Sequence, residues 1–287
     1  MQPRDERPAE TRPLLELEGI GFDYARAPKP GRRTLNGVSF TVPKGQALGL
    51  IGQSGSGKST IAKIVLGLAK PSEGVIRFDG KPIDEHGLQS FRRRVQPIFQ
   101  DPMDALDPRM RIGDQLLEPL LVNFRLSRSE QMERVVAALA SVGLPREIAD
   151  KRPRQISGGQ AQRATIARAL LLDPELLICD EPVSALDMTV QAQILNLLNE
   201  LRAKRGLTLL FISHDIRAIS YLCSEIVVLH KGCVVETGSR ESVLLQSFDE
   251  YTRTLIASVP SKGRRALSGR GQDEEDASFK AERAASL

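Results

Sequence analysis

Nine consecutive residues constrain the fold of this chain more than any others. Gly52-Gln53-Ser54-Gly55-Ser56-Gly57-Lys58-Ser59-Thr60 fits the pattern G-x-x-x-x-G-K-[ST], follows the apolar run ALGLI, and opens a stretch with helical spacing of Ile61, Ile64, Val65 and Leu68 on one face. Strand, glycine-rich loop and helix in that order form a cradle for polyphosphate. The glycines let backbone N–H groups curl round phosphate oxygens, Lys58 neutralises them, Ser59 offers a hydroxyl to Mg²⁺, and the helix N-terminus adds its dipole. Gly52, Ser54, Gly55, Ser56, Gly57, Lys58, Ser59 and Thr60 are therefore the candidate nucleotide-binding residues.

The rest of the chain reads as the scaffold such a loop needs. Short aliphatic runs alternate with helical patterns: QALGLIG, KSTIAKIVLGL, ELLICD, a helix, TLLFISH, a helix, EIVVLH. That alternation predicts a mostly parallel sheet. Ahead of it, LLELEGIGFDY and LNGVSFTVPKG alternate apolar with polar residues, and VIRFDGKPI carries an Asp79-Gly80 turn, so antiparallel strands are expected on one flank. From about 101 to 157, IGDQLLEPLLV and SEQMERVVAALASVG repeat apolar residues at helical spacing without an intervening strand, which predicts an inserted helical subdomain. The fold class is α/β: a mixed sheet, an antiparallel β flank and a helical insertion.

Composition excludes several alternatives. The chain has 287 residues, 41% of them hydrophobic, enough for a sizeable core between a polar start at 1–13 and a polar end at 261–287, both expected to be flexible. Aromatics are 4% and Trp is absent, which supplies poorly both a stacking platform for single-stranded nucleic acid and the aromatic belts of a membrane protein. No apolar run approaches the roughly 20 residues that cross a bilayer, and the opening MQPRDERPAE is too polar for a signal peptide, so a cytoplasmic protein is expected. Cys179, Cys223 and Cys233 form neither a disulfide framework nor a zinc spacing. The net charge of +4 is small and interspersed, and no partner follows from it.

Two further segments carry chemistry. Leu176-Leu177-Ile178-Cys179 reads as a buried strand ending in Asp180 and Glu181, at the edge where parallel sheets collect ligands; Asp180 is expected to hold Mg²⁺ and Glu181 to polarise the attacking water. Ser157-Gly158-Gly159-Gln160 precedes a helix, with Ser157 as its N-cap and bare N–H groups behind it, a second anion site. His214 ends the run TLLFIS, where a satisfied structural histidine is the ordinary reading, and its place after the two carboxylates is what sets it apart; His86 and His230 lack such context and are expected at the surface, as is a solvated basic face at Arg92, Arg93 and Arg94.

In this order the segments resemble the ATP-binding subunits of ABC transporters: a Walker A loop at Gly52 to Thr60, an ISGGQ signature, a Walker B run at Leu176 to Asp180, then Ser184-Ala185-Leu186-Asp187 and Ser213-His214-Asp215, spanning about residues 14 to 260. The resemblance implies a P-loop NTPase core and ATP with Mg²⁺ sandwiched between two such domains, the P-loop of one facing the signature of the other. It implies that Gln100 matches the Q-loop and touches Mg²⁺ beside Ser59 and Asp180, that Asp187 matches the D-loop, that His214 contacts the γ-phosphate, and that Tyr24 or its neighbour Phe22 stacks on adenine, with Tyr24 aligned to that role.

Gln100-Asp101-Pro102, Leu106-Asp107-Pro108-Arg109, Glu118-Pro119-Leu120 and the tail from Tyr251-Thr252-Arg253 to Val259-Pro260 are similar to the oligopeptide, dipeptide and nickel importer branch. Ala105, Asp107, Asp249-Glu250 and Ile156 depart from that branch's usual residues and loosen the assignment of substrate. The implied partners are a second ATPase subunit, related or identical with a heterodimer favoured, two transmembrane permeases received near Gln100 to Arg111, and indirectly an extracytoplasmic solute-binding protein. No nucleic acid is implied. The implied place is the cytoplasmic face of the inner membrane, as a peripheral subunit. The competing reading is the ATPase of a cytosolic assembly resembling carbon–phosphorus lyase.

Overall fold

The structure, a computed structural model, describes residues 13–24 and 33–258. The expected tails, apart from Pro13, and Val259-Pro260 lie outside the described residues.

The chain starts with an antiparallel pair, β1 (Pro13–Phe22) and β2 (Leu35–Pro43), and then enters the core through β3 (Ala47–Ile51), whose five residues are all buried. After α1 (Lys58–Val65) it returns to the flank as β4 (Glu73–Phe78) and β5 (Lys81–Pro82), joined through Asp79 and Gly80 with φ of 53° and 76°. Both residues being left-handed is what a two-residue hairpin turn of the twisted type requires. A short helix α2 (Leu88–Arg94) leads to β6 (Val95–Ile98). From there to residue 157 there is no strand: α3 (Ile112–Asn123), α4 (Arg128–Ser141) and two 3₁₀ turns occupy the segment. The sheet resumes with α5 (Gly158–Leu170), β7 (Leu176–Asp180), α6 (Met188–Arg205), β8 (Thr208–Ile212), α7 (Ile216–Leu222), β9 (Glu225–His230) and β10 (Cys233–Ser239), and α8 (Arg240–Leu245) and α9 (Glu250–Ala257) close the described chain.

The strands form two sheets, β2-β1-β4-β5, antiparallel throughout, and β10-β9-β3-β8-β7-β6, parallel except for its edge strand β10. The mixed sheet sits between two layers, as the alternation within β8 shows. Leu210 and Ile212 join Leu50, Ile178 and Val227 in a core shared with α1 and the antiparallel flank, while Leu209 and Phe211 join Leu177, Cys179 and Val228 in a core shared with α5, α6 and α7. Successive side chains of a strand point to opposite faces, so each buried strand serves both cores. Among the described residues no helix is long and apolar enough to cross a membrane.

The structure corrects several expectations. Leu68 is 59% exposed and outside α1, and Leu66 is buried in its place. The cause is Gly67 at φ 66°: its N–H bonds Ile64 O and the Leu68 N–H bonds Lys63 O, the Schellman pair that ends a helix and swings the next side chain outward. His86 is half-buried, bonded at 2.7 Å to Phe78 O and set against the Phe78 and Phe91 rings. His230 is half-buried too, under Tyr251. Of the three arginines only Arg92 is exposed. Arg93 lies over the Phe124 ring, and Arg94 bridges the sheets, donating from Nε to Glu175 at 2.5 Å and from Nη2 to Asp79 at 2.7 Å while its guanidinium covers Phe78.

Candidate active site

The register of the mixed sheet builds the site. Leu50 of β3 pairs with Ile212 of β8, and Asp180 of β7 pairs with the same Ile212, so the three strands end level. The segments leaving these ends therefore lie side by side: the Gly52–Gly57 loop, Glu181, and Ser213-His214. Ligands gather at the carboxyl ends of parallel strands because the connections there diverge toward opposite layers.

The loop delivers an anion-ready helix end. Gly57 precedes α1 at φ 111°, and a Cβ there would lie 2.6 Å from Leu35 Cδ2, so both conformation and space demand glycine. No side chain caps α1 and no acidic residue occupies its first turn, which leaves the positive end uncompensated. Ser56 Oγ is buried without a hydrogen-bond partner. Lys58 is buried, its ammonium donating to Gly52 O at 2.8 Å and Gln53 O at 3.0 Å; burial lowers its pKa, opposed by the charges of Glu181 and Asp180.

Facing the loop, Ser59 Oγ donates to Asp180 Oδ1 at 3.4 Å. Burial raises the Asp180 pKa, and the adjacent Glu181 charge adds to that, against the lowering effects of the Ser59 bond and of Lys58. A half-buried carboxylate beside a hydroxyl is a hard oxygen pair of the kind Mg²⁺ takes when phosphates and water complete its shell. Among the described residues no cluster of three His, Cys, Asp or Glu side chains forms an all-protein metal cage. Gln100 is exposed two residues past β6, which pairs with β7, and so emerges at the same edge.

Glu181 is held in a left-handed conformation, φ 51°, with its N–H on Ile212 O at 2.9 Å. For a non-glycine residue that is uncommon backbone, and here it aims the carboxylate at the neighbouring strand end. Its Oε2 meets His214 Nδ1 at 2.8 Å; the carboxylate is mostly covered and the imidazole is 61% exposed. A carboxylate oriented by an imidazole, next to a buried lysine, can position water against a phosphoryl group and stabilise the charge it develops.

The second anion-site candidate stands on different neighbours. Ser157 Oγ accepts the Gln160 N–H at 3.2 Å and Gln160 Oε1 accepts the Ser157 N–H at 3.0 Å, a complete capping box. Gly158 lies against Leu186, and a Cβ on Gly159 would be 2.6 Å from Val190 Cγ1. Asp187 caps α6 by accepting the Val190 N–H at 2.9 Å. Thus Ser157, Gly158, Gly159, Gln160 and Asp187 form one assembly, and Lys58, Ser59, Asp180, Glu181 and His214 another.

Tyr24 is 63% exposed beside α1, its hydroxyl 3.3 Å from Thr60 Oγ1, its ring edge-on to Phe22 and 5.8 Å from Lys63 Nζ, while Phe22 packs partly into the core. Sequence reasoning missed one neighbour of the loop. The Gln53 N–H donates to Tyr251 Oη at 2.9 Å, a contact spanning 198 positions for which no local pattern exists.

The family model described as ABC transporter matches residues 35–184. A Brucella ovis protein whose name assigns it provisionally to peptide import as an ATP-binding protein is 42% identical over 252 residues, covering 87% of this chain and 79% of that one. A Brucella abortus protein with the same kind of name is 44% identical over 252 residues, covering 85% and 75%. Among solved structures, CbiO1 of Clostridium perfringens, part of the ABC transporter complex CbiONQ, superposes with TM-score 0.74 at 30% identity, covering 88% of this chain and 97% of that one. A dimer of the ATP-binding cassette MJ0796 in a post-hydrolysis state with ADP and Pi gives 0.70 at 30% identity, covering 79% and 98%.

Proposed function

This chain belongs to the ABC transporter family of ATP-binding subunits, whose cassettes hydrolyse ATP, and from that membership we propose that it energises an importer of peptides. The solute rests on one observation: the Brucella relatives, alike over most of their length, are named for peptide import.

In this reading the P-loop backbone from Gly52 to Thr60 holds the phosphates of ATP, Lys58 exchanges its loop carbonyls for phosphate oxygens, and Tyr24 stacks on adenine. Ser59, Asp180 and Gln100 hold Mg²⁺, which when bound neutralises phosphate charge. Glu181 polarises the attacking water, and His214 orients that carboxylate and reaches the γ-phosphate. Ser157 to Gln160 of a second cassette complete the site across a dimer, with Asp187 beside them; that a similar cassette is a dimer with ADP and Pi supports the pairing of two cassettes. ATP favours the closed pair and hydrolysis releases it, so the coupling is a shift between two conformations driven by differential binding.

Two permeases are the membrane partners, and the second ATPase is a related chain. A cleft of about 320 Å³, lined by Gln96, Glu118, Pro119, Val122, Asn123 and Arg168, adjoins the 101–111 segment, Arg168 reaching from its wall to Ala105 O. The face from Gln100 to Arg111, with this cleft beside it, is the surface offered to a permease. The chain sits peripherally on the cytoplasmic face of the inner membrane, its solute selected by permeases and an extracytoplasmic binding protein, without nucleic acid. Gentle detergent extraction through a tag on this chain, followed by mass spectrometry, tests this. Two multi-span permeases and a second ATPase are expected; recovery only in the soluble fraction with metabolic enzymes would sink the transport reading and leave the ATP site standing.

A further inference from the structure

The P-loop is braced from the far end of the described chain. In the β9–β10 hairpin, Lys231 and Gly232 turn at φ 47° and 79°; the Gly232 N–H donates to Ser56 O at 3.0 Å and Gly232 O accepts the Asn36 N–H at 2.8 Å. At the loop's other end, a Cβ on Gly52 would lie 2.2 Å from Leu229 O, so backbone packs on backbone. Next to it, the Gln53 N–H finds its acceptor on α9, at Tyr251 Oη.

Tyr251 is itself fixed. Its ring lies on His230 at the end of β9, centroids 3.7 Å apart and planes 34° from parallel. One residue on, the fully buried Thr252 is pinned by Asp249, whose Oδ1 accepts from both its N–H at 2.8 Å and its hydroxyl at 3.1 Å. The hydroxyl of Tyr251 is thus presented by a capped helix and a stacked ring rather than by a mobile side chain.

We propose that Tyr251 is a positioning residue for nucleotide binding: by accepting the Gln53 N–H it holds the P-loop in its phosphate-binding conformation. The inference rests on the reading of the P-loop as the ATP site. Tyr251 does not touch the phosphates. It acts through the loop, so its loss lowers the fraction of loops ready to bind and weakens nucleotide affinity by that fraction, while leaving the chemical step alone.

The test compares wild type, Lys58→Ala and Tyr251→Phe as full-length chains binding a fluorescent ADP derivative, and KM and kcat in the assembled complex. Tyr251→Phe keeps the ring on His230 and removes the acceptor. Its Kd and its KM for ATP are expected to rise about three- to tenfold, the size of one net hydrogen bond, with kcat at saturation within about twofold of wild type. A merely structural loss would lower kcat or the active fraction instead. If wild type binds, Lys58→Ala does not and Tyr251→Phe matches wild type, the positioning role is overturned and the site stands. If wild type and Lys58→Ala bind alike or not at all, the reading of the site falls and the inference with it. Hydrogen exchange on the wild-type chain without nucleotide is an independent check that needs no variant: the Gln53 amide is expected to be protected, and exchange at the unprotected rate overturns the proposal.

Discussion

Glu181 and His214 come from the ends of different strands and meet at 2.8 Å, Oε2 to Nδ1, because the Glu181 N–H is tied to Ile212 O, two residues before the histidine. The pair is therefore set by backbone hydrogen bonding at the ends of β7 and β8. Glu181→Gln keeps the size of the side chain and removes its basicity. Turnover by the assembled complex is expected to fall by at least about 10²-fold with ATP binding retained, measured by phosphate release and by nucleotide titration. Wild-type turnover would remove Glu181 from the chemistry.

The burial of Asp180 makes a prediction of opposite sign for stability and activity. Its pKa is raised by burial, so the folded chain prefers the neutral carboxyl, and ionisation costs stability as pH rises from the ordinary aspartate range through the raised folded value. Asparagine mimics the neutral form at every pH. Without nucleotide, Asp180→Asn is expected to melt above wild type at neutral pH, with the difference vanishing below about pH 4. Mg²⁺-dependent hydrolysis in the same variant is expected to be lost. A lower melting temperature at neutral pH would contradict the burial argument.

Arg94 ties β4 to the mixed sheet through Asp79 and Glu175, whose carboxyls its hydrogen bonds hold below their ordinary pKa values. Because both acids are partly exposed, Arg94→Met is expected to cost about 1–2 kcal/mol rather than the several of a fully buried pair. Depressed carboxyl pKa values give stability that is present above the ordinary range and lost as pH falls through the folded values. The gap between variant and wild type in urea unfolding should therefore be widest near neutrality and close below about pH 4.

At Gly159 two effects compete. Alanine improves helix propensity by about 0.5–1 kcal/mol, but its Cβ would stand 2.6 Å from Val190 Cγ1, and overpacking of a β-branched neighbour costs about 1–3 kcal/mol. The clash should win, so Gly159→Ala is expected to be less stable, and adding Val190→Ala should recover most of the loss. Additive losses in the double variant would show that the two residues do not press on each other.

The candidate site was legible because its parts are local: Gly52 to Thr60, Leu176 to Glu181 and Ser157 to Gln160 each carry their geometry in a few adjacent residues. The mostly parallel sheet was legible from the alternation of apolar runs such as TLLFIS with helical patterns, but the division of its core between two faces was not. Tertiary relationships escaped. Leu68 kept the helical period, yet Gly67 had already ended the helix. His86, His230 and Arg94 read as surface residues because polarity says nothing about the ring or carboxylate that another element brings, and Tyr251 meets Gln53 across 198 positions of sequence.

Two groups aimed at anions already have partners within the chain. Lys58 directs donors to Gly52 O and Gln53 O, and the Gln160 N–H at the start of α5 is taken by Ser157 Oγ. Both groups are thus satisfied within the chain, and an anion bound at either would gain only the difference between its own bonds and those it displaces. On the proposed reading, such a trade would ease product departure, because the loop carbonyls and the serine hydroxyl are at hand to take the donors back as an anion leaves.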